Sequence, residues 1–165
     1  MRALLLVFAL VSLSACGFTP LHGAPGAGAA FSDVALVIGD GRDENDRAAG
    51  FELRQHLAER MRGQAGADYV LEIEPRVRQI GLGLTGADRA SRFDKQLTAR
   101  WVLRRADTGD VVARGREVAR ATFSADRDPY RLLATSSAAQ SRVARDVADT
   151  VLEAVALALA EPASP

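Results

Sequence analysis

The sequence predicts an α+β two-layer sandwich, a mainly antiparallel four-stranded sheet with two helices on one face, in the order β-α-β-β-β-α. Three observations carry this. Residues 69–77, 93–103 and 111–123 alternate apolar and polar side chains, the period of a half-buried strand. The stretches after Arg47 and Pro129 space their apolar residues at three and four, the period of a helix. Grouped strands followed by a long helix, in place of a regular strand–helix alternation, place the helices together on one side of an antiparallel sheet.

Val34-Ala35-Leu36-Val37-Ile38 is a short apolar run between Ser32-Asp33 and Gly39-Asp40-Gly41, which reads as a buried strand. The acidic cluster Asp43-Glu44-Asn45-Asp46 suits a helix start, where carboxylates meet free N–H groups and the positive end of the helix dipole. Gly50, Leu53, Leu57 and Met61 then form one helical face, and Gly63 is placed to stop the helix. Tyr69, Leu71 and Ile73 alternate with Val70, Glu72 and Glu74. Pro75 has no N–H for a ladder and marks an edge or bulge. Beyond it Val77 keeps the inward parity, with Arg76 and Arg78 outward.

The longest alternation sets Phe93, Leu97, Ala99, Trp101 and Leu103 against Asp94, Gln96, Thr98, Arg100 and Arg104, with Lys95 interrupting the apolar side. Asp107-Thr108-Gly109-Asp110 gives a tight turn. The strand from Val111 to Phe123 runs back with a small-residue face (Val111, Ala113, Gly115, Ala119, Ala121) and a second face of Val112, Arg114, Arg116 and Arg120; Glu117 breaks the pattern. Asp128-Pro129 is a cap followed by proline at the first helical position. Val143, Val147, Val151, Ala154 and Ala158 line one face of the helix that follows, and Glu161-Pro162 ends it.

Ahead of this body, Arg2 precedes the unbroken apolar run Ala3–Val11, and small residues lead into Cys16, the single cysteine. That is the pattern of a secretory leader, too short to span a bilayer. Leu13-Ser14-Ala15-Cys16 resembles the bacterial lipobox, in which the sulfur is acylated and the chain is cut just before it. The organisation expected is a signal peptide over 1–15, a lipidated N-terminus and tether over 16–31, a folded domain over 32–161 and a tail over 162–165. A lone cysteine in an exported chain has no disulfide partner, and acylation accounts for it. At about 0.8 kcal/mol per buried methylene, several palmitate-type chains make attachment effectively permanent. Gly17–Ala30 is rich in Gly, Ala and Pro, as an extended tether is.

The bulk numbers exclude some classes. With 48% hydrophobic and 25% charged residues, a core is available and disorder is not expected. A formal net charge of +0 argues against general nucleic-acid binding. The charge is unevenly placed. Between Arg76 and Arg105 stand Arg76, Arg78, Arg89, Arg92, Lys95, Arg100, Arg104 and Arg105, against Asp88 and Asp94 alone. This region is read either as solvated strand faces or as a docking surface for an anionic partner. Arg76, Arg78, Arg92 and Lys95 are the candidate phosphate contacts, because a hairpin brings both pairs to one end.

Gly81-Leu82-Gly83-Leu84-Thr85-Gly86 has the G-x-G-x-x-G spacing of a dinucleotide turn, but no helix opens after it, and a flexible loop is the reading adopted. His22 in the tether and His56 on a charged helix face have no metal spacing, and no G-x-S-x-G elbow is present. No enzyme, cofactor or metal site is expected; the one prosthetic group is the lipid on Cys16.

The lipobox, the element order and several stretches together resemble the LptE family of lipopolysaccharide-assembly lipoproteins, in its alphaproteobacterial form. Cys16-Gly17-Phe18-Thr19-Pro20-Leu21-His22-Gly23 is similar to the family's start, with His22 where the family has tyrosine. Ser91-Arg92-Phe93, Leu97-Thr98-Ala99, Leu103 and Thr108-Gly109 are similar to its central hairpin, and Ala138-Ala139, Arg142 and Ala144 to its last helix. The resemblance implies an outer-membrane lipoprotein, held by its lipid on the periplasmic side, that plugs and helps assemble the LptD β-barrel. It also implies contact with lipopolysaccharide through basic residues at one end of the sheet. Gly17 after the cysteine suits an outer-membrane destination. The alternative is an auxiliary lipoprotein of a lipid ABC transporter, also a tethered α+β domain in the periplasm.

Overall fold

A computed structural model describes residues 31–61, 66–84, 90–124 and 128–160. The expected leader, Cys16, His22, the tether up to residue 30, Gly63, residues 85–89, the Glu161-Pro162 stop and the tail lie outside them. The elements are β1 (Val34–Ile38), α1 (Glu44–Ala58), β2 (Tyr69–Leu84), β3 (Ala90–Arg105), β4 (Val111–Ser124) and α2 (Pro129–Ala160). The strands lie side by side in the order β1-β2-β3-β4. β1 joins β2 in parallel, with Val34 opposite Tyr69 and Ile38 opposite Ile73, because the helix between them carries the chain back. The other two pairings are antiparallel. The sheet is therefore mixed, and mainly antiparallel.

Alternation decides which face is covered. The inward set Leu71, Ile73, Leu97, Ala99, Trp101 and Leu103 is buried against Leu53 and Leu57 of α1 and Val143, Val147, Val151 and Val155 of α2. Neither helix lies on the opposite face. Phe31, the last residue of the expected tether, belongs to the core. Ser141 Oγ donates to Glu52 at 3.1 Å and Arg60 pairs with Asp149 at 3.0 Å; partners that advance together along both helices set α1 and α2 parallel. In α2 the buried stripe passes from Val151 to Val155, leaving Ala154 and Ala158 half-buried, because 3.6 residues per turn drift off a strict three-residue step.

Asp43 caps α1, its Oδ1 accepting the Asp46 N–H at 2.9 Å, and Asp128 Oδ1 accepts the Tyr130 N–H at 2.9 Å at the start of α2. α1 ends at Ala58, before the expected Gly63, with Glu59 still in a helical conformation. His56 is half-buried, not a fully solvated side chain, and its Nε2 has no hydrogen-bond partner among the described residues.

Pro75 marks an edge, as expected: β2 runs on through it, and its missing N–H falls just beyond the end of β1, where no ladder bond is needed. One expectation is corrected. Gly81–Leu84, read as a flexible loop, are the end of β2, with Gly81 opposite Phe93 and Leu82 opposite Arg92. The long register of β3 extends the strand through glycines whose own propensity opposes it. A strand follows this segment, so the helix that a dinucleotide turn requires is absent.

Glu117 also finds its reason. It sits on the inward parity of β4, where its Oε1 accepts the indole N–H of Trp101 at 3.2 Å. The indole crosses onto β4 over Gly115, where an added Cβ would lie 2.5 Å from Cζ2 and 2.7 Å from Nε1. A methyl group at 115 must therefore displace the ring and break its bond to Glu117. Gly115→Ala is expected to cost about 1–3 kcal/mol, the range for overpacking a filled site. Urea unfolding with the Trp101 fluorescence as signal checks it.

Candidate functional site

The face of the sheet opposite the helices carries the charge. Hydrogen-bonded register puts Arg100 of β3 directly opposite Arg116 of β4, and Gln96 between Arg78 of β2 and Arg120 of β4. Arg114 lies one step further along β4, opposite Val102. Cross-strand neighbours stand about 5 Å apart at Cβ, and like charges there oppose folding. Arg78, Arg100, Arg116 and Arg120 are exposed and form no ion pair among the described residues.

The acids of this face are already engaged. Glu72 pairs with Arg104 at 3.3 Å, Glu74 pairs with Arg76, and Asp94 accepts from Thr122 at 3.2 Å. A depression of about 350 Å³ opens between the loop before α1 and the sheet, lined by Arg42, Arg76, Arg78, Gln96, Thr98, Arg100 and Arg116 with Asp43 and Asp46. Its charge is positive, and a guanidinium grips a phosphate or carboxylate through two hydrogen bonds. The arrangement is chemically suited to an anionic group.

Asp46 forms one wall. It is 2% exposed, and its carboxylate accepts the Arg42 N–H at 2.9 Å, the Val77 N–H at 2.7 Å and the Arg76 guanidinium at 3.1 Å. The chain reaches this geometry by turning at Gly41 with φ +70, where a Cβ would collide with that of Asp46. Burial pushes the Asp46 pKa up, but the two backbone N–H groups and the arginine outweigh it and leave the pKa below the ordinary carboxylate value.

The four expected contacts part company. Arg76 is on the outward face but is held by Asp46 and Glu74. Arg78 is outward and without an ion pair among the described residues, and Arg92 is exposed, opposite Leu82 towards the hairpin tip. Lys95 is on the other side of the sheet, 4% exposed under α2, where its Nζ donates to Ser136 O (3.2 Å), Ser136 Oγ (2.9 Å) and Gln140 Oε1 (3.2 Å) and faces the Phe123 ring. Hairpin geometry thus does not bring it to the arginines; its parity with Phe93 and Leu97 sends it inward. Desolvation lowers its pKa. The four contacts omit Arg100, Arg104, Arg114, Arg116 and Arg120 of this face and Arg42 on the loop at its rim.

Residues 31–155 match the family model described as LptE, lipopolysaccharide-assembly. The chain belongs to the LptE family. Membership makes its role one in lipopolysaccharide assembly. Among solved structures it is similar to a lipoprotein of Caulobacter crescentus (26% identity, TM-score 0.66, covering 84% of this chain and 99% of that one). The minor lipoprotein of Acinetobacter baumannii (16%, TM-score 0.59, 82% and 98%) and rare lipoprotein B of Shewanella oneidensis (15%, TM-score 0.58, 75% and 93%) share the fold. None of the curated proteins matches the sequence significantly. No helix among the described residues is long and apolar enough to cross a membrane.

Two predictions follow from the buried charges. A carboxylate whose folded pKa is depressed stabilises the fold fully above the unfolded value and loses that contribution as pH falls through the folded one. Asp46→Asn is therefore expected to cost about 2–4 kcal/mol at pH 7 and to flatten the acid limb of stability below about pH 4, read by urea unfolding across pH. For Lys95 the slope has the same sign, but the buried charge is a cost and not a gain. Its folded pKa is lowered, so wild-type stability rises as pH climbs towards the unfolded value of about 10.4. Lys95→Met is expected to lack that rise and to be neutral or up to about 2 kcal/mol more stable at pH 7.

Proposed function

We propose that the chain is an outer-membrane lipoprotein, anchored on the periplasmic side by acyl chains on Cys16, that partners and plugs an LptD-like β-barrel. In this reading the arginine face of the sheet meets the phosphates of lipopolysaccharide as the barrel passes it outward. The observation that carries the second half is the Arg100–Arg116 pair, flanked by Arg78 and Arg120. Guanidinium groups held side by side without carboxylates destabilise the free protein and are relieved by an incoming polyanion.

The chemistry required is binding, not bond cleavage. Phosphate groups of a lipid A headgroup offer paired negative charges to the open face, while the lipid anchor and tether raise the local concentration of the domain at the membrane. Arg76 positions the rim of the depression through Asp46. Lys95 takes no part, because its ammonium is spent on α2. Association with a barrel supports the same face from another direction, since the luminal wall of an outer-membrane barrel is polar.

Arg78→Ala, Arg100→Ala and Arg116→Ala combined are expected to weaken binding of purified lipopolysaccharide by at least about tenfold at low salt, the size of one lost charge-assisted contact or more. The salt dependence should shrink with it, whereas Lys95→Met leaves affinity unchanged. Unaltered affinity in the triple variant would remove the phosphate role. Co-purification from solubilised envelopes separates the partners: an outer-membrane barrel of the LptD kind supports the reading, and transporter subunits point to the ABC-transporter alternative.

A further inference from the structure

β2 outruns the elements that flank it. β1 stops at Ile38, opposite Ile73, and α1 meets the β2 edge last at Val77, through Asp46. β2 itself continues to Leu84. Its odd-numbered residues turn their backbone groups towards the β1 side: the Tyr69 N–H donates to Asp33 O at 3.0 Å, Ile73 O accepts from the Gly39 N–H at 2.9 Å, and the Val77 N–H goes to Asp46 Oδ1 at 2.7 Å. By the two-residue period of a strand, Gln79 and Gly81 present their N–H and C=O groups to that same side. Among the described residues nothing meets them there.

The surroundings complete a strand-sized notch. On the outward face stand Arg78 and Ile80, the latter 48% exposed. On the inward face Gln79 and Gly81 are exposed, because α1 does not extend over them, while half-buried Phe93 stands opposite Gly81 on β3. Sheet edges are ordinarily blunted by charge, proline or a bulge. The β4 edge carries Arg114, Arg116 and Arg120 in alternation, whereas Gln79, Ile80 and Gly81 carry no such device.

We propose that the Gln79–Gly81 edge of β2 is a strand-addition site, where an extended segment of another protein takes the position β1 leaves empty. Main-chain pairing to Gln79 and Gly81 supplies the affinity, and alternate side chains supply the choice of partner. The outward side chains of the added strand meet Arg78 and Ile80, which selects a carboxylate next to an apolar residue. Its inward side chains lie beside Gln79 and Gly81, where the absence of a side chain at Gly81 leaves room for them. A second copy of this chain is disfavoured, because edge-to-edge pairing would set one arginine face beside another. The site stands whether or not that face takes phosphate.

The test places a photo-reactive benzophenone amino acid at Gln79 or at Ile80 of the full-length chain in intact envelopes, with Val112 at the far end of the face as control. Because neighbouring positions look to opposite faces, adducts from both that fall within two or three residues of each other, in one acidic segment of another polypeptide, are the expected result. Gly81→Pro, which removes the edge N–H without touching the β3 ladder, should lower both by about tenfold, with unchanged far-ultraviolet circular dichroism. Ile80→Lys, a charge placed on the edge, should do the same to the Gln79 adduct. Adducts to a second copy, to residues 17–30 of the same chain or to lipopolysaccharide alone overturn the proposal. So do adducts that survive Gly81→Pro, or none at all.

Discussion

The carboxylate of Asp46 holds together three things that the rest of the molecule depends on. It closes the loop before α1 through Arg42, ends the hydrogen-bonded edge of β2 at Val77, and fixes the guanidinium of Arg76. Without it the start of α1 would lose its polar tie to the β2 edge, leaving the β1–β2 ladder and the contacts with α2 to hold the first strand and helix to the meander. A buried charge is costly unless it is paired and hydrogen-bonded. Here two backbone N–H groups and an arginine do both, and the cost is offset. What the node adds to the β1–β2 ladder is the placement of the start of α1 on the β2 edge.

The two sides of the sheet solve opposite problems. The inner side hides a charge: Lys95 is taken from water, surrounded by Ser136 and Gln140 and laid near an aromatic ring. The outer side displays charge that the fold leaves uncompensated. Glu72 and Glu74 neutralise one end, yet the pairing of Arg100 with Arg116 keeps guanidinium groups adjacent across the middle. Stability alone does not select such a face. The proposed contact with lipopolysaccharide phosphates would give it a use.

Much of this architecture is legible in the sequence because alternation and capping are local. Asp43 and Asp128 mark their helices, and the parity of β3 separates Trp101 from Arg100 without any structure. What the sequence hides is what depends on pairing. The glycines after Ile80 look like a loop until β3 is laid beside them. Lys95 shares the parity of Phe93 and Leu97, a signal that it points inward, but a lysine read by charge alone is assigned to the surface. The arginines of β4 fall outside a basic window that closes at Arg105, and only the register with β3 brings Arg116 and Arg120 onto the same face. Glu117 and Gly115 make sense only as a pair around an indole.

The parallel seating of β1 bears on how the molecule comes into being. The three long strands are joined by short connections, so their contacts are local and form at little entropic expense. β1 must wait for α1 and the whole of β2, because its partner strand lies beyond a helix in the chain. A polypeptide made from its amino end delivers β1 before anything exists for it to join. Through that interval the run Val34–Ile38 is an unpaired apolar strand, open to aggregation.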